Sequence, residues 1–134
     1  MAQWIFTDLI KKERLEEEFC IDSAATSREE IGNPIYPPAR RKLEEKGIPV
    51  GEHYATQITK ADYDRYDLII IMDGRNKRLL STIIPEDPDG KIHTLMSYTG
   101  QDAEIADPWY TGDFERAYQD ILKGCSALLE SLIL

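Results

Sequence analysis

The amino-acid sequence predicts an α/β fold in which helices cover both faces of a parallel sheet. Stretches with helical periodicity alternate along the chain with short β-branched runs, and this alternation favours parallel strands joined by right-handed crossovers. Residues 68–72 form a continuous apolar run followed by Asp73-Gly74, which is typical of a strand buried on both faces. With 134 residues, the chain is predicted to be a single domain over residues 1–134.

The predicted elements alternate between the two types. Strands are predicted over residues 19–24, 68–72 and 91–98, and helices over residues 2–19, 37–46, 60–66, 76–84 and 112–134. The first helix has apolar residues at helical spacing, but no Ser, Thr, Asp or Asn precedes it as a cap. Because three strands also make a thin sheet for this length, we expect a further strand before Met1.

Local signals mark the ends of the two helices that follow. Pro37 and Pro38 stand at the start of the helix predicted at residues 37–46, and Gly47 follows its end. Proline is favoured in the first turn of a helix, and glycine is favoured at the position just after the last turn. Thr59 is predicted to cap the short helix at residues 60–66, with Asp62 at the third helical position.

The second half of the chain repeats the alternation. The helix at residues 76–84 is ended by the proline-containing turn at residues 85–90, and the strand at residues 91–98 follows. Residues 100–111 are predicted to be a long polar loop. The helix predicted at residues 112–134 has one wide apolar face.

Composition and charge exclude several classes of protein. Sixteen Lys and Arg residues against 25 Asp and Glu residues give a net charge of −9, without the basic stripe that a duplex nucleic-acid partner requires. The longest apolar run, residues 68–72, is far too short to cross a bilayer. Cys20 and Cys125 lie far apart and form no C-x-x-C motif, so we expect no disulfide framework, no metal site and a cytoplasmic protein.

The expected ligand site lies where the predicted strands end. In open parallel α/β sheets, ligands bind beyond the carboxyl ends of the strands. This rule selects Ser23-Ala24, residues 73–76 and the loop that carries residues 107–110.

Five stretches, in order along the chain, resemble a known family. They are residues 21–27, the Gly32-Asn33-Pro34 loop with the Pro-Pro-Ala that follows, His53 with Ala55 and Gln57-Ile58-Thr59, residues 67–73 with Asn76, and Asp107-Pro108-Trp109-Tyr110 before the last helix. Together they span nearly the whole chain and are similar to low-molecular-weight protein tyrosine phosphatases. The resemblance implies a phosphotyrosine-phosphatase-I, flavodoxin-like fold whose parallel sheet has four strands in the order 2-1-3-4.

The resemblance also implies a function and a set of site residues. Members of this family hydrolyse phosphotyrosine in proteins, or small aryl phosphates, through a cysteinyl-phosphate intermediate and without a metal or other cofactor. By resemblance, Asp107 is the general acid, and Trp109 and Tyr110 line the substrate slot. Ser23 and His53 resemble residues that brace the phosphate-binding loop by hydrogen bonds.

The chain departs from the family pattern at its start. Family members begin with a strand and a Cys-(five residues)-Arg-Ser/Thr-Pro loop, and residues 1–4 match the point just after that loop. Neither Cys20 nor Cys125 is followed by an arginine at this spacing. The resemblance therefore implies an N-terminally truncated domain without its first, central strand, and this chain is predicted not to turn over phosphotyrosine.

The loss of a central strand would have a structural consequence. Its two neighbours would lie about 10 Å apart, which is two strand spacings, with unpaired backbone groups facing each other. Because each such buried group costs about 1–3 kcal/mol, we expect a homo-oligomer or an exchange of segments between copies to close the gap.

Three interpretations stay open at this point. The chain is either a truncated form of an active phosphatase, through gene prediction or cloning, or a natural pseudophosphatase that acts as a binding or regulatory protein. An in-frame Cys-x5-Arg-Ser-Pro in the coding DNA just upstream would decide between these two. A thioredoxin-coupled arsenate reductase shares the fold but needs several redox cysteines, and Cys20 and Cys125 are only two and badly placed.

Overall fold

The structure is a computed structural model that describes residues 1–101 and 103–133, and helices account for nearly half of these residues. In chain order, the elements are α1 (Ala2–Lys12), α2 (Pro37–Glu45), α3 (Lys60–Arg65), β1 (Ile69–Ile71), α4 (Gly74–Ser81), β2 (Ile92–Thr94), the 3-10 helix η1 (Leu95–Thr99), α5 (Pro108–Thr111) and α6 (Phe114–Ile133).

The sheet consists of β1 and β2, which pair in parallel. Ile69 pairs with Ile92, and Ile71 pairs with Thr94. The side chains of β1 alternate between two apolar clusters. Ile69 and Ile71 join the cluster between α3 and α4, and Ile70 packs against the larger cluster formed by α1, α2, η1 and α6. The predicted α/β class, with helices on both faces of a parallel sheet, is therefore confirmed.

Helix α6 packs closely against η1 in the larger cluster. Leu95, the first residue of η1, is 1% exposed and lies against Gly124 of α6. A Cβ atom at Gly124 would lie 2.5 Å from Leu95 Cγ, a distance that real Cβ atoms do not tolerate. The helix can approach η1 this closely only because position 124 has no side chain.

The prediction of a strand at residues 19–24 is wrong. This segment has no ladder, and its nearest pairing is a single parallel bridge between Ala25 and Gln57. The Ala25 N–H donates to the Thr56 carbonyl at 2.7 Å, and the Ile58 N–H donates to the Ala25 carbonyl at 2.8 Å. A strand exists only through its partner, and the described residues place none beside residues 19–24, so the sheet has two strands instead of three.

The first helix ends at Lys12, seven residues before its predicted end at residue 19. Arg14 adopts the left-handed conformation with φ +58°. Its N–H donates to the Lys11 carbonyl at 3.0 Å, and the Leu15 N–H donates to the Ile10 carbonyl at 2.8 Å, which is the Schellman pattern of a helix end. Leu15 still packs on the core after the helix has ended, and its apolar character extended the periodicity that predicted a longer helix.

The structure confirms the other four predicted helices and the strand at residues 68–72 with shifted bounds, but the strand at residues 91–98 and the loop at residues 100–111 only in part. Helix α2 begins at Pro37 as predicted, and the Thr59–Asp62 capping box opens α3. The strand predicted at residues 91–98 changes after Thr94 into η1. Residues 100–111, predicted to be a loop, contain the one-turn helix α5. The predicted last residue of the final helix, residue 134, lies outside the described residues.

Candidate active site

The loop that precedes α5 is held at the carboxyl end of β1. The Ile105 N–H donates to the Met72 carbonyl at 3.1 Å, and the Ile105 side chain is only 2% exposed. Glu104 Oε1 accepts a hydrogen bond from the Gly74 N–H at 2.6 Å, where a carboxylate also interacts favourably with the N-terminal end of α4. Two side-by-side anchors therefore place this loop at the sheet edge where α/β proteins bind ligands.

Asp107 is the N-cap of α5. Its Oδ1 accepts a hydrogen bond from the Trp109 N–H at 2.9 Å, and its backbone carbonyl accepts from the Tyr110 N–H at 3.1 Å. The side chain is exposed, and within the described part of the chain Oδ2 makes no hydrogen bond. One carboxylate oxygen is thus committed to the cap, and the other makes no contact of this kind among the described residues.

Trp109 and Tyr110 project from α5 into solvent, with 57% and 68% of their surfaces exposed. The Trp109 ring lies 4.6 Å from the ring of Tyr36, between centroids, and Tyr36 in turn lies 6.0 Å from Phe114. Tyr36 was not among the predicted site residues, because its contact with Trp109 joins segments far apart in the chain. The aromatic residue directly before Pro37-Pro38 was the signal available in the sequence.

Ser23 and His53 come together beside the first turn of α1. Ser23 Oγ donates to Gln3 Oε1 at 2.6 Å and lies 3.5 Å from His53 Nε2. His53 Nε2 lies 2.9 Å from Asp22 Oδ1, and this carboxylate also accepts from the Ser23 N–H. Gln3 and Asp22 are partners that the sequence did not suggest. A cavity of about 220 Å³ lies next to Ser23 and His53, lined also by Met1 and Gln3.

The site residues thus form two clusters. One consists of Ser23, His53, Gln3 and Asp22, and the other of the aromatic residues around Asp107. Among residues 1–101 and 103–133, no hydrogen bond or ring contact joins the two clusters.

The two cysteines differ in environment. Cys125 is buried in α6, and burial raises the pKa of its thiol to about 12, so the thiolate is not available near neutral pH. Cys20 is an exposed free cysteine on the segment after α1. A Cys-x5-Arg loop requires an arginine six positions after the cysteine. Thr26 stands at that position after Cys20, and Ser131 stands there after Cys125.

Two features are absent from residues 1–101 and 103–133. No group of three or more His, Cys, Asp and Glu side chains in this part of the chain is arranged to hold one. None of its helices has the length and apolar character needed to span a membrane.

Comparison with known proteins assigns the family. The sequence profile of the family described as "Low molecular weight phosphotyrosine protein phosphatase" matches residues 1–133. The chain belongs to this family. The low-molecular-weight protein-tyrosine-phosphatase YfkJ of Bacillus subtilis is 36% identical over 134 residues, covering 98% of this chain and 86% of YfkJ. The low-molecular-weight phosphotyrosine protein phosphatase of Homo sapiens is 38% identical over 135 residues, covering 97% of this chain and 85% of the human protein.

Solved structures of phosphatases share the fold. The crystal structure of YfkJ from Bacillus subtilis superposes with a TM-score of 0.92 at 35% identity, over 98% of this chain and 84% of that chain. The low-molecular-weight phosphatase SP-PTP from Streptococcus pyogenes gives a TM-score of 0.87 at 31% identity, over 99% of this chain and 83% of that chain. The α/β fold expected from the family resemblance is therefore confirmed, although the sheet of the described residues has two strands.

Proposed function

We propose that residues 1–134 carry the leaving-group and aryl-binding part of a protein tyrosine phosphatase site. In this proposal Asp107 protonates the departing phenoxide, and Trp109 and Tyr110 line the slot for the aryl ring. The observation that carries it is the attachment of the Asp107 loop to the carboxyl end of β1 through Ile105. The names of the relatives supply the substrate class, phosphotyrosine in a protein, and a small aryl phosphate presents the same aryl ester.

Ser23 and His53 have a supporting role in this proposal. Their hydrogen bonds with Gln3 and Asp22 form a polar cluster beside the first turn of α1, and this cluster is suited to brace a neighbouring loop.

Both cysteines are free thiols, which supports a reducing compartment such as the cytoplasm.

We further propose that the 134-residue chain alone does not complete the reaction. A thiolate must attack phosphorus and form a cysteinyl phosphate while the phenoxide leaves with a proton, and water then hydrolyses the thiophosphate ester. The raised pKa of the buried Cys125 thiol and the missing arginine after Cys20 and Cys125 support this proposal. Loss of a nucleophile has cost about 10⁶-fold in rate where it has been measured.

Hydrolysis of phenyl phosphate by this chain is expected to stay at the background rate. Phenol is a poor leaving group, so this ester depends on a proton donor as well as on a nucleophile. Phosphate release should be the same for the unmodified chain and for the Asp107→Ala and Cys20→Ser variants. A rate above the buffer blank that either substitution abolishes would show that the chain is a competent phosphatase.

A non-catalytic binding role is the second candidate function. Five large apolar side chains before α2, before α3 and on α5 are exposed, namely Ile31, Tyr36, Tyr54, Trp109 and Tyr110. Exposed apolar groups of this size, when they are contiguous, mark interaction surfaces. A pseudophosphatase would use them to hold a partner without chemistry.

We also propose that copies of this chain associate by pairing at the free edge of β1. The Ile69 N–H donates to the Lys91 carbonyl, so the N–H and carbonyl of Ile70 point away from β2. The described residues contribute no third strand on that edge. An unpaired edge is a template for a segment from another copy.

Light scattering on the purified chain is therefore expected to give a mass above the 15.4 kDa of one chain at micromolar concentration. The mass should fall on dilution, because the association is non-covalent. The Cys20→Ser variant is the control for disulfide-linked dimers through the exposed Cys20, and it should associate equally. A constant mass of one chain would contradict the proposal.

A further inference from the structure

One aromatic side chain connects the acid-bearing helix to the rest of the fold. Tyr36 is the residue before α2, and its ring lies 4.6 Å from the Trp109 ring at an interplanar angle of 55°. The same ring lies 6.0 Å from the Phe114 ring at 35°. Tyr36 therefore contacts both α5 and the first residue of α6, and such tilted arrangements are favourable for aromatic pairs.

Few other side-chain contacts hold helix α5 in place. It has only one turn, contains no buried residue and ends at Gly112, which has φ +74°. The Asp107 cap and the anchors at Glu104 and Ile105 hold the chain before the helix. Among the described residues, Tyr36 is the one aromatic residue whose ring contacts the Trp109 ring.

The backbone at Tyr36 is suited to hold a ring in place. Tyr36 precedes Pro37, and a residue before proline is restricted to extended conformations. Its ψ of 128° lies in the range that a following proline imposes. The Tyr36 hydroxyl donates and accepts no hydrogen bond among the described residues, so the aromatic ring is the part of the side chain that makes the contact.

We propose that Tyr36 is a positioning residue, which holds the Trp109 indole and so sets the orientation of α5 and of Asp107. The inference rests on the proposed function, in which Trp109 lines the aryl slot. Tyr36 would act through Trp109 and not by touching the reacting atoms. The ring is required and the hydroxyl is not.

Fluorine NMR on the chain labelled with 5-fluorotryptophan tests this directly. The chain has two tryptophans, Trp4 and Trp109, and the Trp109→Phe variant assigns their two resonances. In Tyr36→Ala, the Trp109 resonance is expected to move towards its position in the unfolded chain, because the ring current of Tyr36 is lost. Tyr36→Phe should restore the original position, and the Trp4 resonance should stay unchanged in both variants.

Tyr54→Ala is the matched control, since Tyr54 is also an exposed tyrosine but has no ring contact with Trp109 among the described residues. An unmoved Trp109 resonance in Tyr36→Ala would overturn the inference. So would a shift of both tryptophan resonances together, because that outcome reports a general loss of structure.

Titration with phenylphosphonate separates this inference from the proposed function. A Trp109 resonance that moves with phenylphosphonate supports the aryl slot. If Tyr36→Ala moves the Trp109 resonance but phenylphosphonate does not, the slot assignment fails and the contact between Tyr36 and Trp109 is upheld. If phenylphosphonate moves the resonance and Tyr36→Ala does not, the positioning role fails alone.

Discussion

Replacement of Leu95 by alanine is expected to lower the free energy of unfolding by about 2–5 kcal/mol. Leu95 is 1% exposed and fills the close contact between η1 and α6. The glycine opposite it has no side chain that could move into the space. The cavity should therefore stay partly open, which places the loss towards the upper end of the range.

A second substitution tests whether this contact is the cause. Gly124→Ala alone should cost about 1–3 kcal/mol through overpacking against Leu95, offset by up to about 1 kcal/mol of helix propensity. In the double variant Leu95→Ala/Gly124→Ala, the methyl group added at position 124 occupies part of the space that the Leu95 side chain has left. The combined loss should then be smaller than the sum of the two single losses.

Urea unfolding followed by circular dichroism measures these differences. Lys123→Ala is the control, because Lys123 is exposed on the same helix and its removal should change stability by no more than about 0.5 kcal/mol. Additive losses in the double variant would show that Leu95 and Gly124 do not share one packing contact.

Replacement of Ile105 by alanine should have an effect of similar size, about 2–5 kcal/mol, and should also release the Asp107 loop. Ile105 is the buried side chain that holds this loop at the end of β1. Its backbone hydrogen bond to Met72 is available to any non-proline residue, so the substitution removes only the apolar contact. We expect faster cleavage of the loop by a protease in Ile105→Ala than in the unmodified chain.

Ile105→Val provides the graded comparison. It removes one methylene group and should cost about 0.5–1.5 kcal/mol, with cleavage of the loop close to that of the unmodified chain. If alanine and valine at this position give the same stability and the same cleavage rate, the loop is held by its backbone contacts and not by the Ile105 side chain.

Local signals account for the parts of the fold that the sequence predicts well. The capping box at Thr59 and Asp62 and the prolines at the start of α2 act within one helical turn, so their effect can be read from neighbouring residues. The strand around Ile70 is predicted because its apolar run requires burial on both faces. The family resemblance supplies the rest of the architecture.

The predictions that failed depend on contacts between distant residues. Residues 19–24 have the composition of a strand, but strand formation needs a partner that composition does not specify. The end of α1 depends on Arg14 in a left-handed conformation, which arginine rarely adopts and which no glycine announces.

The site shows the same division. That Asp107 caps a helix could have been predicted, since an aspartate before Pro108 and a glycine at position 112 are typical of a short helix. The role of Tyr36 could not, because its contact with Trp109 joins two segments about seventy residues apart in the chain.

The two-sided packing of β1 has a consequence for how the protein unfolds. Ile70 belongs to one apolar cluster, and Ile69 and Ile71 belong to the other. A pair of short strands is marginally stable without packing on its faces, so neither cluster can lose its order while leaving β1 in place for the other. The two clusters therefore form one cooperative unit, and the chain should lose its structure in a single transition and not by the separate melting of two halves.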